Sequence, residues 1–134
     1  MKTVFVILVA ILLPFIHGCK KAIELESTPT YRIDYAFTLL SNDSVGNEWQ
    51  TSVTREGQIL QSGDTITAQE NTVITITATV TEVDVYPDTA TATLDLSLAD
   101  GSTATATITV LENGGAYTNH TAVWEWTCSV TRLT

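Results

Sequence analysis

Residues 81–88 read Thr-Glu-Val-Asp-Val-Tyr-Pro-Asp and place three carboxylates, Glu82, Asp84 and Asp88, in one short stretch. Pro87 has no amide hydrogen for a sheet ladder, which predicts that the backbone leaves the sheet here. Carboxylates confined to one loop repel one another unless a positive charge lies among them. Calcium is the expected cation, because it accepts about six to eight oxygen ligands in flexible geometry. The alternative is a solvated acidic turn, since short motifs often carry no ligand.

A second polar stretch, residues 42–48, offers further oxygen ligands. Its candidates are Asn42, Asp43, Asn47 and Glu48. Two acidic loops that meet at one end of a domain would supply a site for a hard cation, whereas zinc would require His or Cys. The alternative for this stretch is an Asx-type turn that its own Asn and Asp side chains form.

Alternation of apolar and polar residues predicts β-strands along most of the chain. The clearest are residues 73–80, residues 90–98 and residues 122–132, and Asp100-Gly101 is a strong hairpin signal. Seven or eight antiparallel strands joined by turns at short intervals predict an all-β fold. We expect a two-layer antiparallel β-sandwich.

The order of the turns decides whether the acidic loops meet. If the chain reverses at Gly63, residues 42–48, residues 82–88 and residues 112–120 share one end of the sandwich, and the tight turns share the other. If the chain runs straight through Gly63, the two acidic loops lie at opposite ends and no shared site exists. The calcium hypothesis therefore depends on this reversal.

The two acidic loops also carry a resemblance. The run Asn-Asp-Ser-Val-Gly-Asn-Glu-Trp at residues 42–49, followed by Glu82-x-Asp84-x-x-Pro87-Asp88, resembles a pairing in small secreted bacterial β-sandwich domains. Those domains are similar in layout to C2 domains, which bind calcium through acidic loops at one end. The resemblance implies a C2-like or immunoglobulin-like sandwich with a calcium site. Docking on phospholipid, which many C2 domains perform, is not expected, because this chain has no evident basic patch.

The N-terminus resembles a bacterial lipoprotein signal. Lys2 precedes an apolar run at residues 4–13, which suits the core of a secretory signal and is short for a membrane span. Ile16, Gly18 and Cys19 match the lipobox pattern, which implies a lipidated Cys19 and a stable membrane anchor. We therefore predict a protein of the bacterial cell envelope, anchored by lipid on the extracytoplasmic side. The predicted parts are a signal peptide (residues 1–18), the lipidated cysteine with a tether (residues 19–30) and the β-sandwich domain (residues 31–134).

Cys128 is the second cysteine of the chain. It alternates in phase with Trp124 and Trp126, so we expect a small buried apolar residue. If the lipobox interpretation is wrong, a disulfide between Cys19 and Cys128 is the alternative.

Charge and residue content exclude some functions. The formal net charge of −9 argues against nucleic acid as a partner, because nucleic acid requires a basic surface. Enzyme activity is not predicted, because a catalytic triad would have to be built around His120, the one histidine after the predicted signal peptide. Cleavage of glycosides by Glu82 and Asp84 is a weaker alternative.

A metal-free binding module is the main alternative to a calcium site. Tyr86 and Tyr117 lie in predicted loops, where they would offer a contact surface to an unknown protein or glycan, as in an adhesin or an inhibitor. Trp124 and Trp126 are expected in the core. Trp49, beside the first acidic loop, is either a core residue or a platform for a sugar ring.

Overall fold

The computed structural model describes residues 26–134. The predicted signal peptide, Cys19 and most of the tether lie outside the described residues. No helix within residues 26–134 is long and apolar enough to cross a bilayer. The strands are β1 (Thr30–Asn42), β2 (Trp49–Arg55), β3 (Gln58–Ile59), β4 (Thr65–Thr67), β5 (Val73–Glu82), β6 (Asp88–Ser97), β7 (Thr103–Leu111) and β8 (Thr121–Arg132), with a short 3₁₀ helix at Gly115–Tyr117.

The strands form two sheets of four. One sheet has the order β4-β1-β8-β7 and the other the order β3-β2-β5-β6, and every pairing is antiparallel. This architecture confirms the predicted all-β, two-layer antiparallel sandwich, here with eight strands.

Side chains alternate between core and solvent as the sequence pattern predicts. In β5, Ile76, Ala78 and Val80 are fully buried, while the threonines between them face outward. In β8, Trp126 is fully buried and stacks on Phe37 with ring centroids 6.2 Å apart. The buried apolar residues of the core run along the sequence from Tyr31 to Val130. We therefore expect this part of the chain to fold on its own. Cys128 is a free, buried cysteine, which confirms its predicted burial.

The reversal at Gly63 is present. Gly63 has φ +96°, and its amide donates to the Ile33 carbonyl at 2.7 Å, while the Ile33 amide donates to the Asp64 carbonyl at 2.9 Å. These bonds hold the turn against β1, and β4 then runs antiparallel to β1. The predicted shared end for the three long loops is therefore confirmed.

The three loops, residues 43–48, 83–87 and 112–120, form what we term the loop end. Strand register places them at the same end. In one sheet the last pair of β1 and β8 is Asn42 with Ala122, next to the first and third loops. In the other sheet the last pair of β2 and β5 is Trp49 with Glu82, next to the first and second loops. These loops contain no Lys or Arg.

The arginines of the described residues, Arg32, Arg55 and Arg132, all lie toward the opposite end of the sandwich. Each pairs with an acid close by. Glu26, the first described residue, lines a depression with Arg132 at that same end. The chain therefore enters the domain at the end opposite the loops.

Candidate cation site at the loop end

Glu82 is a buried acid at the end of β5. Its position continues the inward alternation of Ala78 and Val80, and its side chain is only 3% exposed. The Oε2 atom has no hydrogen-bond partner within the described structure. Its other oxygen, Oε1, occupies the space beside Gly46 that a Cβ would fill, so any larger residue there would overlap the carboxyl group. The first loop thus covers Glu82 because Gly46 has no side chain.

Electrostatics around Glu82 disfavour its ionised form. Burial raises the pKa of Glu82, and the nearby carboxylates of Asp84, Glu112, Asp88 and Glu48 raise it further. The three loops contain no Lys or Arg to offset them. A buried carboxylate without a partner is costly, so this group needs either a proton or a cation.

A shallow depression beside Glu82 brings together several of the predicted ligands. Its polar lining is Asn47, Glu48, Glu82 and Asp84. The two acidic loops are joined here, because the amide of Val83 donates to the Glu48 carbonyl at 2.7 Å. The side chains of Glu48 and Asp84 are exposed, so they can change rotamer at little cost.

Asp84 also shapes the tip of the second loop. Its Oδ1 accepts the amide of Tyr86 at 2.6 Å, which makes an Asx-type turn. The second Asp84 oxygen, Oδ2, has no such bond within the described structure. One carboxylate therefore holds the backbone of the loop and still retains acceptor capacity beside Glu82.

Asp88 and Glu112 are buried acids with partners of their own. Asp88 pairs across the sheet with Glu82 and accepts from the Asn113 amide at 3.2 Å and from Asn113 Nδ2 at 2.9 Å. Glu112 accepts the Gly114 amide at 3.1 Å. Glu112 was not among the predicted ligands, although its place directly after an alternating strand was a usable signal. Asp88 therefore ties the third loop to the end of the second, whereas the Glu112 bond lies within the third loop.

Asn42 and Asp43 do not line the depression. Asn42 Oδ1 accepts the Val45 amide at 3.0 Å, and Asn42 Nδ2 donates to the Gly46 carbonyl at 2.6 Å, which is the turn-forming alternative for this stretch. The Asp43 carboxylate faces the third loop instead, 3.5 Å from His120 Nδ1. Both residues shape the first loop and position its Gly46 over Glu82.

The acids share the loop end without yet converging on one point. Within residues 26–134, no three or more Asp, Glu, His or Cys side chains are grouped closely enough to hold a metal ion. A cation site at Glu82 would therefore require Glu48 and Asp84 to turn toward it. Asp43 and Asp88 are already engaged by other groups.

Aromatic residues divide between the core and the tips of the loops. Tyr86 is 72% exposed and Tyr117 is 54% exposed, which confirms that both lie at the surface; their role in a contact surface stays a prediction. Trp49 packs edge-on against Trp124 with ring centroids 5.3 Å apart. Trp49 therefore belongs to the core and is not a free platform for a sugar.

Comparison with known proteins yields no relative. No protein-family model matches this chain, and no match was found among curated proteins or solved structures.

Proposed function

We propose that this chain is a lipid-anchored extracytoplasmic protein of the bacterial envelope whose β-sandwich binds calcium at the loop end. Glu82, Glu48 and Asp84 supply the carboxylate ligands, and Asn47 supplies an amide oxygen. The observation that carries the proposal is Glu82, a residue that lines the depression and whose buried Oε2 has no partner among the described residues.

A cation beside Glu82 resolves the cost of the buried carboxylate. Calcium accepts carboxylates, carbonyls and water in flexible geometry, so the site tolerates one fixed ligand and two mobile ones. Glu82 is the fixed ligand, while Glu48 and Asp84 close from the two loops. A proton competes for the same carboxylate, and binding therefore weakens as the pH falls.

Calcium at this point would order the contact surface. It joins the first loop through Glu48 to the second loop through Asp84, whose carboxylate already holds the Tyr86 amide. The tip that carries Tyr86 thereby loses freedom before any partner arrives, and preorganisation of this kind lowers the cost of binding. Calcium thus prepares the loop end for a protein or glycan partner.

The proposed anchor suits this arrangement. The domain begins at the end opposite the loops, where Glu26 lies near Arg132. A membrane attachment through Cys19 would direct the loop end away from the bilayer. The acidic loops would then avoid the anionic head groups and face partners outside the membrane.

Thermal unfolding of residues 20–134 with EDTA, with calcium and with magnesium tests the proposal. A site with a dissociation constant of about 10⁻⁴ M is typical of extracellular modules. Calcium at about a hundred times that concentration should add about 2 to 3 kcal/mol to the free energy of unfolding. Asp84→Asn should remove most of this gain. The side-chain oxygen of the asparagine can still accept the hydrogen bond from the Tyr86 backbone amide, but the negative charge that binds calcium is lost. Glu56→Gln, on the exposed turn at the opposite end, is the matched control and should leave the gain intact. Equal unfolding temperatures of the wild type in calcium and in EDTA would rule the site out.

A metal-free binding module is the second candidate, and the exposure of Tyr86 and Tyr117 favours it. Tyrosine supplies a large contact area at low entropic cost. Tyr86→Ala and Tyr117→Ala should abolish binding to a glycan array or to envelope proteins without changing unfolding. Partner binding that EDTA leaves unchanged, together with unfolding that ignores calcium, would favour this candidate over the first.

A further inference from the structure

The loop end and the opposite end of the sandwich differ in how their charges are balanced. The arginines of the described residues lie toward the opposite end, and each pairs there with an acid. At the loop end Glu82 is buried, and its Oε2 has no partner within residues 26–134. The three loops contain no Lys or Arg, and these loops and the strand ends beside them carry six acids: Asp43, Glu48, Glu82, Asp84, Asp88 and Glu112. A bound Ca²⁺ ion would neutralise only part of this charge, so the loop end stays negative.

The two exposed tyrosines of the loop end lie close to the same part of the third loop. Tyr86 lies beside Gly114, where an added Cβ would come within 3.7 Å of the Tyr86 Cβ. Gly114 directly precedes the short 3₁₀ helix that ends at Tyr117. Both tyrosine side chains are mostly exposed. The negative end of the domain therefore presents two aromatic rings, and the face of an aromatic ring attracts cations.

Asp43 supplies an exposed carboxylate near Tyr117. His120 Nδ1 donates to the Asp43 backbone carbonyl at 2.9 Å, and the Tyr117 ring packs edge-on against the His120 ring with centroids 5.6 Å apart. The Asp43 amide donates to the Thr121 carbonyl at 2.9 Å. These contacts hold Asp43 and Tyr117 against the same histidine, while the Asp43 side chain stays 72% exposed. Asp43 does not line the depression at Glu82, so it lies outside the proposed calcium site.

We propose that the loop end docks an arginine-bearing segment of a protein partner. Guanidinium groups of the partner lie on the faces of Tyr86 and Tyr117, and one of them donates to the Asp43 carboxylate. A guanidinium group is planar and weakly hydrated, so it can stack on a ring while its N–H groups pair with a carboxylate, whereas the lysine ammonium is a compact and strongly hydrated charge. The inference rests on the proposed function, which makes the loop end a contact surface directed away from the membrane.

Charge complementarity selects this class of partner over the others. The whole chain has a net charge of −9, and the loop end lacks the arginines that pair with acids at the opposite end. A neutral glycan gains nothing from this charge, and nucleic acid or an anionic lipid surface is repelled by it. A basic protein segment is attracted before contact, and complementary charge of this kind raises the rate of association and excludes wrong partners.

Fluorescence anisotropy of a labelled peptide of alternating Arg and Gly residues tests the proposal on residues 20–134, in EDTA and in calcium. The wild type should bind this peptide in both conditions, and more tightly than a peptide of alternating Lys and Gly. Tyr86→Leu with Tyr117→Leu keeps apolar side chains but removes the aromatic faces, and it should raise the peptide dissociation constant about tenfold. Asp43→Asn should raise it about threefold, as expected for loss of an exposed ion pair.

Asp95→Asn is the matched control, because it makes the same change of charge on the exposed face of β6. Asp95 lies seven residues after Asp88 in that strand, about 23 Å from the loop end and well beyond the screening length of about 8 Å. The asparagine oxygen can still accept the hydrogen bond that Thr75 donates to Asp95. Peptide binding should stay unchanged. Equal weakening by Asp43→Asn and Asp95→Asn, or equal affinity for the Lys peptide, would overturn the proposal.

The same measurements separate this inference from the calcium site. Peptide binding with the expected dependence on Tyr86, Tyr117 and Asp43, together with unfolding that ignores calcium, would support the docking surface and refute the calcium site. Stabilisation by calcium without binding of the Arg peptide would refute the docking surface and leave the calcium site in place. Binding of neutral glycans that requires the tyrosines, without binding of the Arg peptide, would also refute it.

Discussion

Glu82→Gln is the substitution on which the interpretation of the loop end depends. The amide has nearly the shape of the carboxyl group, so it keeps the packing under Gly46 and removes only the charge. In EDTA at neutral pH we expect the variant to be more stable than the wild type by about 1 kcal/mol. This is the low end of the cost of an unpaired buried polar group, because the amide stays buried but is uncharged.

The stability of the wild type without calcium should depend on pH through Glu82. Burial and neighbouring carboxylates raise the pKa of Glu82 in the folded protein above the ordinary value of 4.5. Between 4.5 and the raised pKa, the unfolded chain loses its proton first, so wild-type stability without calcium falls as the pH rises through this window. Below pH 4.5 Glu82 is protonated in both the folded and the unfolded state, so its burial no longer lowers the stability. Glu82→Gln should lack this decline.

Calcium should reverse the order of the two proteins. At a hundredfold excess over the dissociation constant the wild type gains about 2.7 kcal/mol. The variant should gain almost nothing, so the wild type becomes the more stable by about 1.7 kcal/mol. For a domain of this size each kcal/mol corresponds to about 4 to 8 °C in unfolding temperature.

The assay is thermal unfolding followed by tryptophan fluorescence at pH 5 and pH 7, in EDTA and in calcium. Trp49 and Trp124 pack together near the loop end and report on its unfolding. A Glu82→Gln variant that is less stable than the wild type in EDTA would contradict the inference that the buried Glu82 carboxylate destabilises the fold without a cation. A variant that gains as much from calcium as the wild type would place the cation elsewhere.

Other substitutions test the packing. Gly46→Ala should cost about 1 to 3 kcal/mol in chemical denaturation, because φ is +137° and the methyl group would overlap Glu82; an unchanged midpoint would contradict this. Tyr31→Phe should stabilise by about 1 kcal/mol, since it removes a buried hydroxyl that has no partner within residues 26–134, and destabilisation would reveal a partner for that hydroxyl. Trp126→Ala should cost about 3 to 5 kcal/mol by calorimetry, and a smaller loss would mean that the core collapses around the cavity. Burial raises the pKa of Cys128 to about 11, so a thiol reagent should label it only after unfolding; labelling of the folded protein would show that the thiol is accessible.

Much of the fold could be predicted from local pattern. Strand alternation is a property of neighbouring residues, and it assigned the inward face of β5 and the burial of Cys128. Turn residues did the same for the hairpin between β2 and β3, where Glu56 and Gly57 have φ of +51° and +77°. The Asp100-Gly101 signal, by contrast, was wrong as a hairpin, because β6 and β7 belong to different sheets and the chain crosses from one sheet to the other there.

The candidate site was predicted only in part, because its members differ in burial and in partners. Glu82 continues the inward phase of β5, and this phase was a usable signal that it would be buried. The position of Asp43 beside His120 was not predictable, because it depends on how the third loop folds. That loop lies far along the sequence and meets the others only through sheet pairing.

The sequence by itself determined the class of fold, the strand faces and the concentration of acids in two loops, because periodicity and composition are local properties. Tertiary structure decided which acids meet. The hydrogen bonds of Gly63 and Asp64 with Ile33 reverse the chain and bring three loops to one end. Gly46 then covers Glu82 and removes it from water. A carboxylate gains most from a bound cation when burial has removed it from water, and burial is a property of the assembled sandwich.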